Sequence, residues 1–264
     1  MIVLITGASG GFGSVLGRSL VAKGMRVYGT MRSPEGRESE FPFPILPMDV
    51  GDPASIEKCM DEVLEREGQI DVLINCVNHM IIGSIEEQTV EEVRALYDTA
   101  VFGVLGVCKQ VIPVMRRQGS GTIVNMSSLG GLLPVPYMSA YTSAKFALEA
   151  LTEAMYQEMK PHGIDVVIMQ PVAMKMDRPA TGEHLSLVQG VGEGSRSHKM
   201  LERMTKDTAA SGLTPEKVAE KIYEVITAPK KPLRVPMDRA RVLGWVRALA
   251  PQSVIDRLIG GLLS

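Results

Sequence analysis

Six short apolar or β-branched runs punctuate the chain, at 2–5, 26–29, 45–48, 72–75, 122–126 and 165–170, and longer helix-compatible stretches separate them. Strand-length runs alternating with helical ones predict βαβ units around a parallel sheet. Helix starts are signalled too. Asp52-Pro53 and Thr214-Pro215 place Pro at a first helical position, and Thr89 followed by Glu92 reads as a capping box. The stretch 90–117 is apolar nearly all round, with Val93, Leu96, Val101, Leu105 and Val111 spread about one helix, so it has to be covered on two sides.

Two segments break this rhythm. Residues 175–212 mix Gly, Ser, Lys and Glu with weak periodicity over a length unusual for a connection, which predicts a lid over a substrate site. Residues 239–263 regain amphipathic character, with Val242, Trp245, Leu249 and Ile255 interleaved with Arg241, Arg247 and Arg257, and Pro251 divides them into two short helices.

Composition narrows the class. The 264 residues suit a single domain spanning 1–264, and a chain of this mass can bury about 73% of its unfolded surface. With 28 Lys and Arg against 30 Asp and Glu, the net charge of −2 provides no basic footprint for nucleic acid. The three cysteines, Cys59, Cys76 and Cys108, have no metal-ligand spacing and fit a reducing compartment. The first strand begins at residue 2, leaving no room for a signal peptide, and no uninterrupted apolar run reaches the ~20 residues of a membrane span. A cytoplasmic location is the expectation.

Chemistry enters directly after the first strand. Thr6-Gly7-Ala8-Ser9-Gly10-Gly11-Phe12-Gly13 opens into a helical stretch. Glycines there let the backbone turn tightly and approach a pyrophosphate, whose charge is favoured by the free N–H groups and dipole of the helix start. Gly7, Ser9, Gly11, Phe12 and Gly13 are therefore cofactor-binding candidates. The second strand ends in Thr30-Met31-Arg32-Ser33, without the carboxylate that would bind the ribose of NAD. Arg32, with Ser9 as a second donor, favours the 2′-phosphate of NADP(H).

Ser128 follows the strand at 122–126, and thirteen residues later comes Tyr141-Thr-Ser-Ala-Lys145. With the glycine turn, this spacing resembles the short-chain dehydrogenase/reductase family over nearly the whole chain, and the tail after Thr214 is most similar to its steroid and retinoid branch. The resemblance implies a Rossmann-like, doubly wound α/β sheet of seven parallel strands with helices on both faces. It implies catalytic roles for Ser128, Tyr141 and Lys145. It places Asp49 and Val50 at the adenine, and Asn75, Pro171 and Val172 along the cofactor, beside Tyr141 and Lys145 themselves. The chemistry is consistent, since Tyr141 and Lys145 lie i and i+4 on a helix. A phenol that titrates near 10 needs about 4 kcal/mol of phenolate stabilisation to act as an acid near neutrality. Lys145 and an oxidised nicotinamide are candidates to supply it. Ser128 would hold the substrate oxygen.

Four positions depart from the family pattern. Ala100 stands where the family carries a water-anchoring Asn, Asn78 where it carries a small Gly, Val172 follows Pro171 where Gly is usual, and Met176 replaces a Thr. Two readings stay open: an NADP-dependent oxidoreductase with a rerouted proton path, and an NADP-binding fold turned to non-redox chemistry or to a cofactor-sensing, protein-binding role. Met80, Ile81, Ile82, Leu129, Leu133, Val135, Met138, Val172, Met174 and Met176, with lid residues Leu185, Leu187 and Val188, compose a pocket wall almost without charge. That wall suits a small lipophilic ketone, aldehyde or alcohol. His79 and Cys76 receive no catalytic role. The apolar helices imply a homodimer or homotetramer. For the tail, docking over the protein's own site or a neighbouring subunit ranks ahead of membrane-surface contact.

Overall fold

The computed structural model describes residues 1–175 and 185–260. Seven parallel strands form the sheet: β1 (Ile2–Thr6), β2 (Arg26–Met31), β3 (Ile45–Pro47), β4 (Val72–Asn75), β6 (Gly121–Met126), β7 (Ile164–Gln170) and β9 (Arg234–Pro236), in the order β3-β2-β1-β4-β6-β7-β9. A second, two-stranded parallel ribbon joins β5 (Met80–Ile82) to β8 (Leu185–Leu187). The helices are α1 (Gly11–Ala22), α2 (Pro53–Glu67), α3 (Val90–Tyr97), α4 (Val104–Gln118), α5 (Ser139–Met159), α6 (Arg196–Ala209), α7 (Pro215–Thr227), α8 (Ala240–Leu249) and α9 (Gln252–Gly260).

Apolar side chains point alternately to the two faces of the strands, so two cores form. Val3, Ile5 and Ile74 pack with Leu16 of α1 and Ile222 of α7 on one face. Leu4, Leu73 and Ile123 pack with Val63 of α2 and Val107 of α4 on the other. A third cluster, holding Ile82, Leu96, Ala100, Met138 and Tyr141, sits above the sheet. Because β1 pairs with both β2 and β4, the strand order reverses at the carboxyl ends of β1 and β4, where ligands of doubly wound sheets bind. The helix-start signals are realised: Asp52 accepts from the Ala54 N–H at 3.0 Å, Thr89 and Glu92 form the reciprocal box, and Thr214 caps α7.

Two expectations are corrected. The helix expected over 90–117 runs to Gln118, but a π-helical turn at Asp98–Gly103 separates α3 from α4. With apolar residues all round, one inserted residue leaves no trace in the periodicity. The stretch from Val90 to Gln118 is long and apolar enough to cross a membrane by length and composition, yet half of the most apolar window is buried inside the fold. Its buried positions include Leu96 and Val107, one in each of two cores.

The second correction concerns residues 175–212, which contain β8 and the fourteen-residue α6 in place of a loop. The inner face of α6 is Ser197, Met200, Leu201 and Met204, a helical spacing that Ser obscured. Ser197 hydrogen-bonds Glu87, and Glu92 accepts from the Gln189 N–H at 2.9 Å, so this segment is tied to the start of α3.

Candidate active site

The glycine turn is built to admit a ligand's backbone. Gly7 has φ +69°, and a Cβ there would lie 3.0 Å from the Val77 backbone. At Gly13 a Cβ would lie 2.4 Å from the Gly7 carbonyl oxygen, so any side chain would block the turn from folding back on the helix. Gly10 precedes α1 without a side-chain cap, which leaves the N–H groups of Gly11, Phe12 and Gly13 directed out of the helix start. This cradle fits the pyrophosphate of a dinucleotide.

Around it, Arg32 is exposed just past β2, and no hydrogen bond or ion pair engages it among the described residues. Asp49 is exposed after β3, its carboxylate accepting from the Gly51 N–H at 2.9 Å, while Val50 is buried where Gly103 of the π turn lets it approach. The Asn75 amide is turned into the interior. It donates to Asn125 at 2.8 Å and accepts from Thr6 at 3.3 Å, and Asn125 continues the chain to Thr152 of α5. A ligand could meet Asn75 only through its main chain. Pro171 and Val172 are buried after β7, and the Pro171 carbonyl accepts from the Leu129 N–H at 2.9 Å, joining the two loops that flank the site.

The structure brings Ser128, Tyr141 and Lys145 together. Ser128 ends the β6 loop and accepts from the Gly130 N–H at 3.1 Å. A Cβ on Gly130 would lie 3.0 Å from the Tyr141 ring, so this glycine lets the serine turn close onto the tyrosine. Burial raises the Tyr141 phenol above the ordinary 10, against the lowering effect of the neighbouring Ser128 hydroxyl. Lys145, one turn further along α5, donates to the Met126 carbonyl at 2.9 Å and lies 5.7 Å from the Tyr141 ring centre. Burial lowers Lys145 to about 8, against the attraction of Glu149. In the chain alone, burial therefore sets the Tyr141 phenol, and the lowering expected from Lys145 is not seen.

One set of residues escaped the sequence reading. Glu149, a further turn along the same helix face, is buried, and its two carboxylate oxygens share the Gln170 amide N–H at 2.9 and 3.0 Å. It also pairs with Arg234 of β9 at 3.4 Å. Burial pushes its carboxyl above the usual carboxylate range, against the hydrogen bonds from Gln170 and the charge of Arg234. Glu149 thus ties the residue before Pro171, at the end of β7, to Arg234 of β9. The spacing Tyr141, Lys145, Glu149 was the available signal.

The departures also acquire positions. Ala100 lies in the π turn, 1% exposed, in the same apolar cluster as Tyr141. The side-chain oxygen of Asn78 is buried without a hydrogen-bond partner among the described residues. Met176 lies outside the described residues, as does the side chain of Leu185. Of the expected wall, Ile81, Ile82, Leu133, Met138 and Val172 are buried core, while Met80, Leu129, Val135 and Met174 are partly exposed. Burial drives the Cys76 thiol up to about 12, so it stays protonated.

A backbone cradle at the switch point beside a Tyr–Lys pair defines the class: a Rossmann-type oxidoreductase. Comparison with known proteins agrees. The short chain dehydrogenase family model matches residues 1–182. The 3-ketodihydrosphingosine reductase of Bacteroides thetaiotaomicron is 34% identical over 238 residues, covering 88% of this chain and 86% of that protein. The Dehydrogenase/reductase SDR family member 7B of Xenopus tropicalis is 30% identical over 264 residues, covering 95% and 82%. A short-chain dehydrogenase from Streptomyces avermitilis superposes with a TM-score of 0.83 at 32% identity, covering 97% of this chain and 94% of that one. The chain belongs to the short-chain dehydrogenase/reductase family.

Proposed function

We propose that the protein is an NADP(H)-dependent reductase of lipophilic ketones and aldehydes. The observation that carries this reading is the convergence of Ser128, Tyr141 and Lys145 against an apolar cluster. When bound, the nicotinamide cofactor supplies the hydride. Ser128 then orients the substrate oxygen, and Tyr141 delivers the proton to it. Burial holds the phenol protonated in the ligand-free chain, so lowering it toward neutrality falls to the bound cofactor and to Lys145. Lys145 stands behind the phenol as the positive charge that meets the phenolate once formed.

Arg32 beside the cradle, in a strand end without a carboxylate, supports NADP(H) over NAD(H). The apolar, uncharged surroundings support a substrate with a hydrocarbon body, and the 3-ketodihydrosphingosine named for the Bacteroides relative is a substrate to test. Phe102 and Leu105 of the π turn and α4, and Phe146 and Leu151 of α5, are exposed apolar side chains on neighbouring helices. They support a homo-oligomer paired through these helices. NADPH oxidation across a panel of lipophilic ketones, including 3-ketodihydrosphingosine, tests the reading. Tyr141→Phe should lower turnover by roughly 10²- to 10⁴-fold. Unchanged turnover in that variant would remove Tyr141 as the acid, and inactivity on every ketone would favour the non-redox alternative.

A further inference from the structure

The outer face of α8 is apolar and uncovered. Val242, Trp245 and Leu249 are 62%, 68% and 76% exposed and lie together on one side of the helix. The opposite side is the packed one. Ala240 is fully buried, and Gly244 packs against Leu132, with 3.5 Å from a Cβ built there to the Leu132 methyl. Leu132 follows the Ser128 turn. The tail thus meets the margin of the protein's own site through its inner face, as the sequence suggested, but its aromatic stripe points away.

Charge identifies what the stripe fits. At 100° per residue, Arg239 and Arg241 fall on either side of the Val242, Trp245 and Leu249 line. Residues 239–260 contain four Arg and one Asp in a chain whose net charge is −2. A stripe of Trp, Leu and Val edged by arginines is the pattern of a helix lying in a bilayer interface, its rings among the acyl chains and its guanidinium groups on anionic headgroups. A second copy of α8 would bring arginines and no counter-charge. We propose that α8 docks the protein on an anionic membrane surface, next to the loop that carries Ser128.

Trp245 is the sole tryptophan in the chain, so the patch reports on itself. The full-length protein, titrated with vesicles of phosphatidylglycerol and phosphatidylcholine, should show a blue shift of tryptophan emission and should float with the vesicles. Phosphatidylcholine vesicles should bind far less. Arg239→Gln combined with Arg241→Gln should weaken partition about thirtyfold, and Leu249→Glu, at a solvent-facing position, should abolish flotation. Reduction of a water-soluble ketone should be unaffected in these variants, so failure of docking is distinguishable from failure of the catalytic reading. No blue shift with anionic vesicles would overturn the proposal. So would a blue emission that already grows with protein concentration in vesicle-free buffer, which would show a second copy covering the stripe.

Discussion

Lys145→Met should destroy turnover and yet stabilise the ligand-free protein at neutral pH. Lys145 is 1% exposed, and burial lowers it from 10.5 to about 8. That difference corresponds to about 3 kcal/mol by which the fold disfavours the ammonium. The sign follows from proton linkage. Between about pH 8 and pH 10.5 the unfolded chain binds a proton that the folded chain has released, so this group makes stability rise with pH across the window, and below it the full penalty is present. Methionine is adaptable enough to follow the aliphatic stem. It forfeits the hydrogen bond to Met126, worth about 1 kcal/mol. The net gain is about 2 kcal/mol at neutral pH, or roughly 4–8 °C in Tm for a chain of this size. Urea unfolding followed by circular dichroism, without cofactor, should show the variant's advantage near pH 7 and its disappearance by about pH 10, where the native lysine is neutral too. An advantage independent of pH, or a variant less stable at both values, would refute the argument that burial of this charge is what the site endures for its chemistry.

Three further outcomes are expected. Arg32→Ala should weaken NADPH binding tenfold or more while leaving NADH nearly unchanged, measured by fluorescence titration; an equal loss for both would show that Arg32 does not read the 2′-phosphate. If reprotonation of Tyr141 is slow because Ala100 anchors no water, kcat should show a solvent deuterium isotope effect that shrinks in Ala100→Asn, and that variant should lose about 1–3 kcal/mol of stability by placing an amide in an apolar cluster. Gly29→Ala should lower stability by about 1–3 kcal/mol in thermal unfolding, because its Cβ would lie 2.6 Å from the Ala8 methyl and 2.7 Å from Phe43 and Ile45.

What the sequence displayed was local. Strand positions, the glycine turn and the Tyr141–Lys145 spacing are set by neighbours within one or two turns, so pattern and composition were enough to find them. The seventh strand, β9, was not placed, because its three residues, Arg234–Pro236, carry no alternation and pair only at the edge of β7. The β5 and β8 ribbon escaped for the same reason: each strand is three residues long and its partner lies far away in sequence.

The site's supporting groups were hidden differently. Glu149 reads as an ordinary helix acid until the fold brings Gln170 and Arg234 to it, and Arg234 reaches Glu153 across 81 residues. A carboxylate buried among such partners joins the ends of β7 and β9 through a single side chain. Ala100 makes the complementary case. Its identity was visible in the sequence, but its position, in a π turn against the cluster that holds Tyr141, was not. The π turn forms here without the Asn, so that side chain is not what shapes the helix. What its replacement changes is therefore the polarity beside Tyr141 and, if Tyr141 is the proposed acid, the route by which a proton would return to the phenolate.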